Sequence, residues 1–407
     1  MKLPFLLFSL AALTLHTQAA DKVEWEPAIY PENQLFPSML ISTATVQLPE
    51  ETFSTWDENH LGDTQGSIGV SVGGLAKGAK VEVIVQENDF LQKSVFSGVV
   101  DKPAEGDADM LIHPKIRYRY DLLGKVQQAI PLDITIELKV DGVSQGEKTQ
   151  TINLRPINDC LFGVEETDEN DETISSDYMW LFAAYVNEDH PIVDQLLKSA
   201  LKLDVVDSFS GTQSGDSDEV LKQIFAVWSV LQKRGIKYSD ITTNSRQSET
   251  VFSQSVRFLD QSLNSTQANC VDGSVLFASV LRKIGLEPSL VLVPGHMFIS
   301  IPIDEENSIG LETTMLGSAA DDEADVSNFP ESAIEVSEEL EPAWNSFQAA
   351  VSTGTGALTE SAEKFKDSEE EGYDPNYQMI DVGVARGIGI LPIARPAKPA
   401  TGELAEE

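Results

Sequence analysis

Between about Leu40 and Pro156, apolar and polar residues alternate in short runs. Ile68, Val70 and Val72 share one face of such a run, and VEVIVQE follows at Val81–Glu87. LDITIELKV sets Leu132, Ile134, Ile136, Leu138 and Val140 on one side. A period of two marks half-buried strands. IHPKIRYRYD has the same pattern, with Ile116, Tyr118 and Tyr120 opposed to Lys115, Arg117 and Arg119. Asp141-Gly142 is a turn signal, and TINLRP closes the set. Short alternating strands separated by Gly and Asp turns predict a β-sandwich over residues 21–157. His60 and His113 read as isolated, ordinary histidines within it.

Near Asn158 the period changes. DYMWLFAAYVNE is apolar at helical spacing, and PIVDQLLKSALKL reads as a helix opened by proline. DSDEVLKQIFAVWSVLQKRG has every helix signal. Asp216 or Ser217 caps it, acids fill its first turn, Lys233 and Arg234 end it, and Gly235 stops it. Trp180, Phe182 and Trp228 read as core. A second helix-then-strand unit, ANCVDGSVLFASVLRKIGLEPSLVLVPGHMF, runs from Ala268 to Phe298. The class expected is therefore α+β, with a helical half and a small antiparallel sheet over residues 158–395. A stretch after Thr314, about 317–375, is acidic and rich in Ser, Ala and Gly. It reads as a flexible insertion holding one amphipathic helix around Ser337–Ala350. The tail 396–407 reads as disordered.

The first residues change the compartment. One lysine precedes an apolar run from Leu3 to about Leu15, followed by small residues. This is the pattern of a secretory signal peptide cleaved after Ala19 or Ala20, so the mature chain is expected in the periplasm or outside the cell. The run is too short to span a bilayer, and no later stretch approaches that length. Asp and Glu number 66 against 28 Lys and Arg, a net charge of −38. That balance excludes nucleic acid and anionic membranes as partners held by charge. No EF-hand loop and no His or Cys cluster with ligand spacing is present, so neither metal nor cofactor is expected. Asn264-Ser265-Thr266 is an N-glycosylation sequon.

The chemistry gathers in the helix-then-strand unit. Asn269 is a good N-cap, Val271, Val275, Ala278, Leu281 and Ile284 follow at helical spacing, and Gly285 and Pro288 end the helix. Cys270 thus stands in the first turn, where outward N–H groups favour a reactive thiolate. Asp272 reads as a helix cap. Leu290–Val293 is a buried strand, Pro294-Gly295 a turn, and His296 opens a second strand. SIGLETT then supplies a third, with Glu312 placed to accept the His296 ring N–H. One sheet edge facing one helix end can therefore hold nucleophile, base and orienting acid.

The order of helix-borne Cys270, strand His296 and strand Glu312 resembles the transglutaminase-like superfamily, whose catalytic core is papain-like. RGIKYSDIT, QSVRFLDQSL, NCVDGSVLFASVLRKIGLEPSLVLVPGHMF, SIGLETT and IDVGVARGIGILPI look like its bacterial branch, over roughly Asp177 to Pro392. The resemblance implies Cys270 as nucleophile, His296 as general base and acid, and Glu312 as the ring-orienting residue. It also implies an oxyanion hole from the Cys270 backbone N–H and an upstream side chain, for which Gln254 is the candidate. The sequence departs from many members in having Glu rather than Asp at 312, and in a shorter Cys-to-His connection.

Two readings follow. The first is a thiol enzyme acting on amide bonds of a protein or peptide: a peptidase, amidase or acyl-transfer enzyme working through a thioester. The alternative is a catalytically inactive binding or scaffold protein of the cell envelope, meeting its partner through the β-sandwich. A disulfide between Cys160 and Cys270, the two cysteines of the chain, would favour the alternative.

Overall fold

The alternating runs do pair as strands. The computed structural model describes residues 23–46, 59–104, 106, 108–167, 173–213, 215–239, 248–318, 325–366, 370 and 374–394. The segments expected to be a signal peptide and a disordered tail lie outside these residues. Strands β1 (Trp25–Ile29), β2 (Gln34–Leu35), β3 (His60–Gly62), β4 (Ile68–Val72), β5 (Lys80–Val85), β6 (Leu91–Gln92), β7 (Ser94–Val99), β8 (Met110–His113), β9 (Arg117–Tyr118), β10 (Ile130–Val140) and β11 (Val143–Leu154) occupy the first part, with short helices α1 (Pro37–Ser42) and α2 (Tyr120–Leu123). One sheet runs β1-β4-β8-β3 and another β2-β11-β10-β5-β7. β10 and β11 form a long hairpin in which Asp141 and Gly142 both take the left-handed backbone of the turn, at φ 50° and 80°. Ile134, Ile136 and Leu138 alternate inward from one sheet and Ile68, Val70 and Val72 from the other. All six belong to a single apolar core.

Two expectations change here. IHPKIRYRYD is not one strand. β8 stops at His113, ahead of Pro114, which has no N–H for a ladder, β9 keeps only two residues, and Tyr120 opens α2. His60 and His113 are not isolated either. β3 and β8 pair in parallel, and His60 Nε2 lies 2.8 Å from His113 Nδ1. Their pairing spans 53 positions, which local pattern does not report. Burial, then the His60 ring, pushes the pKa of His113 down to about 4.

The second part holds β12 (Asp159–Thr167), β13 (Thr173–Asp177), α3 (Pro191–Leu201), α4 (Ser217–Lys233), β14 (Lys237–Tyr238), β15 (Val251–Ser255), α5 (Leu259–Ser265), β16 (Gln267–Ala268), α6 (Cys270–Lys283), β17 (Ser289–Val293), β18 (His296–Pro302), β19 (Ser308–Leu311), α7 (Glu341–Ser361), β20 (Gln378–Asp381) and α8 (Val382–Gly387). The chain is thus α+β. DYMWLFAAYVNE forms a 3-10 helix over Met179–Tyr185. α4 is capped by Asp216, whose carboxylate accepts the Asp218 N–H, and Gly235 follows it at φ 74°. β19-β18-β17-β20 form an antiparallel sheet against which α6 and α7 pack. Residues of these elements share a second apolar core with Phe36. Between the two cores, buried Arg155 pairs with Asp159 at 2.5 Å and reaches Gln34 and Ser253.

The acidic stretch is not a flexible insertion where it is described. α7 is 21 residues long and buries Trp344, Phe347, Ala350 and Val351 in the second core. The small residues that suggest a loop are what let it approach a strand. A methyl on Gly310 would lie 2.1 Å from the Gly354 carbonyl oxygen, so the two backbones touch. Residues 319–324, 367–369 and 371–373 of the stretch lie outside the described residues.

Candidate active site

Helix α6 sets the first member. Asn269 accepts the Asp272 N–H at 2.8 Å, and the Asp272 carboxylate accepts the Asn269 N–H at 3.1 Å, a reciprocal capping box. Cys270 is thereby held as the first helical residue, half-buried, at the end where the helix dipole favours negative charge. Asp272 is fully buried. It also accepts the Arg257 backbone N–H at 2.7 Å and the guanidinium Nη1 at 2.7 Å. Burial pushes its pKa above the usual carboxylate range, against these hydrogen bonds from Arg257 and Asn269. Further along the turn, Gly273 has no room for a side chain, since a Cβ would lie 2.7 Å from Thr313 Oγ1.

The other two members come from the sheet. Gly295, at φ 73°, turns β17 directly into β18, so that His296 lies opposite Val293. β18 and β19 pair with Ile299 opposite Leu311, and the next step of that register puts Glu312 beside Phe298. His296 and Phe298 share a face of β18, so Glu312 is a diagonal neighbour of His296. His296 Nε2 and Glu312 Oε2 are 2.6 Å apart. Glu312 Oε1 accepts the Thr314 N–H at 3.0 Å and its hydroxyl at 2.5 Å, which locks the carboxylate. The Glu312 N–H donates to the Ala350 carbonyl of α7 at 3.0 Å.

His296 also lines the same cavity as Cys270. Interaction with the Cys270 side chain first, and with Glu312 second, pushes the His296 pKa up to about 10 against the effect of burial. With Nε2 engaged by Glu312, Nδ1 is the ring nitrogen left for a second partner. Burial works to raise the Glu312 pKa, but its hydrogen bonds from His296 and Thr314 prevail and hold it below its ordinary value. The three residues therefore make one chain of side chains from thiol to carboxylate.

A cavity of about 220 Å³ opens at this chain, lined in part by Cys270, His296 and Gln254. Gln254 lies on β15, opposite Cys160 of β12. Its Nε2 donates to the Ser255 carbonyl at 3.2 Å and carries a second N–H. The larger cleft of about 610 Å³ by Phe90 and Arg119 holds neither a cysteine nor a histidine. Both cysteines are free. Cys160 is fully buried in β12, where burial pushes its thiol pKa well above the ordinary value. Among the described residues no group of three His, Cys, Asp or Glu side chains is arranged to hold a metal ion, and no helix is long and apolar enough to cross a membrane.

Sequence reasoning missed Arg257, Thr314, Ala350 and the apolar wall of the cavity. The Asn-x-x-Asp capping box was readable. Its partner Arg257, 15 positions upstream, carries no local signal. No protein-family model matches the chain, and no curated protein matches it.

Proposed function

We propose that this chain is an exported, periplasmic or secreted cysteine-nucleophile enzyme of transglutaminase-like type that acts on amide bonds through a thioester. In this reading residues 21–157 are a β-sandwich and 158–395 a papain-like catalytic domain. The observation that carries the reading is His296 standing between Cys270, with which it lines one cavity, and Glu312, whose carboxylate lies 2.6 Å from its ring. A cysteine and a histidine need no such third partner for packing, whereas a nucleophile–base pair does.

The chemistry runs as follows. The Cys270 thiol gives its proton to His296 Nδ1, and the sulfur attacks the amide carbonyl carbon. The carbonyl oxygen takes up negative charge beside the Cys270 backbone N–H, which has no intrahelical acceptor at the first helical position, and beside the second N–H of Gln254. Collapse breaks the C–N bond, and His296 returns its proton to the leaving amine. A thioester on Cys270 remains. Water or a second amine attacks it, losing a proton to His296, and the thiol is restored. Glu312 holds the ring with Nδ1 toward sulfur and balances the imidazolium charge.

The test is alkylation of the mature protein with iodoacetamide near pH 6.5, without reductant, with both cysteines mapped by mass. Fast modification of Cys270 but not Cys160, slowed at least tenfold in His296→Ala, is expected. Equal rates in wild type and His296→Ala, or a Cys270 joined to Cys160, would overturn the reading.

A further inference from the structure

The cavity beside Cys270 is too small for a large ligand and is lined by an unusual set of residues for this chain. Its volume of about 220 Å³ lies below the roughly 300–1,000 Å³ of pockets that enclose whole small-molecule ligands, and suits a single side chain. One wall is Phe162 of β12 with Met179 and Phe182 of the 3-10 helix, and the other is Leu292 of β17 and Pro294 of the β17–β18 turn. Phe162 and Phe182 lie nearly parallel, 22° apart with centroids 6.2 Å apart, and Phe252 backs Phe162 at 6.2 Å. The aromatic wall is thus braced from behind. Phe162 and Met179 are half-buried, so part of their apolar surface faces the cavity. Although the chain carries 66 Asp and Glu and 28 Lys and Arg, none of the described residues lining this cavity is an Asp, Glu, Lys or Arg. The polar groups besides the catalytic pair are two neutral amides, Gln254 and Asn376, suited to a peptide backbone.

We infer that this cavity is a specificity pocket that selects peptide acyl donors with an uncharged aliphatic or single-ring side chain next to the carbonyl attacked by Cys270. The inference rests on the thioester reading above. An ionised side chain entering this pocket would leave water and meet no charge beyond the imidazolium, which Glu312 already balances, and the sulfur, whereas Leu, Met or Phe would cover the aromatic wall. Phe162, Met179 and Leu292 are then the specificity-determining residues.

The experiment uses the mature wild-type protein and N-acetyl amino-acid p-nitrophenyl esters of Leu, Met, Phe, Gly, Asp and Lys. Attack by the Cys270 sulfur displaces p-nitrophenolate and leaves the acyl group as a thioester, read by absorbance and by the mass gain on Cys270. Rates are divided by each ester's spontaneous hydrolysis, and Cys270→Ala gives the background. Leu, Met and Phe esters should acylate Cys270 about 100-fold faster than the Asp and Lys esters, and about 10-fold faster than Gly. Met179→Glu should narrow the gap between the Leu and Lys esters at least tenfold. Wild-type acylation by Asp, Lys or Gly esters within threefold of Leu would overturn the pocket inference and leave the thioester reading standing. No acylation of Cys270 by any ester would overturn both. If Met179→Glu does not fold, the wild-type panel decides alone.

Discussion

Replacing Arg257 by Met tests whether the turn that carries Cys270 is held by a buried ion pair. Asp272 is fully buried and takes three hydrogen bonds from two neighbours: the Arg257 backbone N–H and guanidinium at 2.7 Å each, and the Asn269 N–H at 3.1 Å. Arg257→Met keeps a long apolar stem and removes only the guanidinium. Breaking one side of a buried pair costs about 3–5 kcal/mol, because the remaining charge is left uncompensated. Asp272 retains two backbone donors in the variant, so a loss of about 2–3 kcal/mol is expected. The pH dependence has a definite sign. Burial already raises the Asp272 pKa, and loss of the guanidinium raises it further. A carboxyl whose folded pKa exceeds its unfolded value makes the native state bind more protons, so stability falls as pH rises through that window. The deficit of the variant should therefore be largest near pH 8 and shrink toward pH 5. Urea unfolding, followed by the fluorescence of buried Trp228, measures it at both pH values. A deficit below about 0.5 kcal/mol at pH 8, or one that grows toward pH 5, would refute the reasoning.

The His296 ring should titrate near pH 10 by NMR of labelled histidine. Cys270→Ala and Glu312→Gln should each lower the midpoint, and a midpoint unmoved in both would sink the arrangement. Because that pKa is raised, the stabilisation from His296 is complete below pH 6.5 and is lost as pH rises through about 10. His113 behaves oppositely. Its pKa of about 4 means that stability declines as pH falls from 6.5 toward 4, by about 3 kcal/mol, and His113→Phe should flatten that slope in urea unfolding curves. Gly310→Ala drives a methyl into the Gly354 carbonyl and should cost about 3 kcal/mol by calorimetry. An unchanged unfolding midpoint would mean that α7 does not lie on β19.

What was legible in the sequence follows the range over which each signal acts. Helix α6 carries its own cap at Asn269, its apolar spacing and its stop at Gly285, all within one stretch, and the structure places it there. Cys270, His296 and Glu312 stand in consecutive elements, α6, β18 and the end of β19, joined through β17 by tight turns. Short connections leave few ways to arrange such a unit, so the meeting of the three could be anticipated. Phe162, Gln254 and Asn376 reach the same cavity from strands and loops far apart in sequence, and Arg257 and His113 find their partners across element boundaries. Pattern within a segment reports which face is apolar, not what that face will meet. The acidic stretch shows how the same residues support opposite readings. In EPAWNSFQAAVSTGTGALTES, Gly raises backbone freedom in the unfolded chain, Ser, Thr and Ala offer little apolar surface, and the stretch resembles a loop. Against β19 the same small side chains let a helix backbone touch a strand, with Gly354 on Gly310 and Thr355 Oγ1 accepting the Gly310 N–H at 3.0 Å. Trp344 and Phe347 were the visible counter-signal, since two large aromatics three positions apart have little reason to sit in a solvated loop. Weighing those two rings above the surrounding composition would have placed α7 in the core, and with it the Ala350 carbonyl that holds the backbone of Glu312.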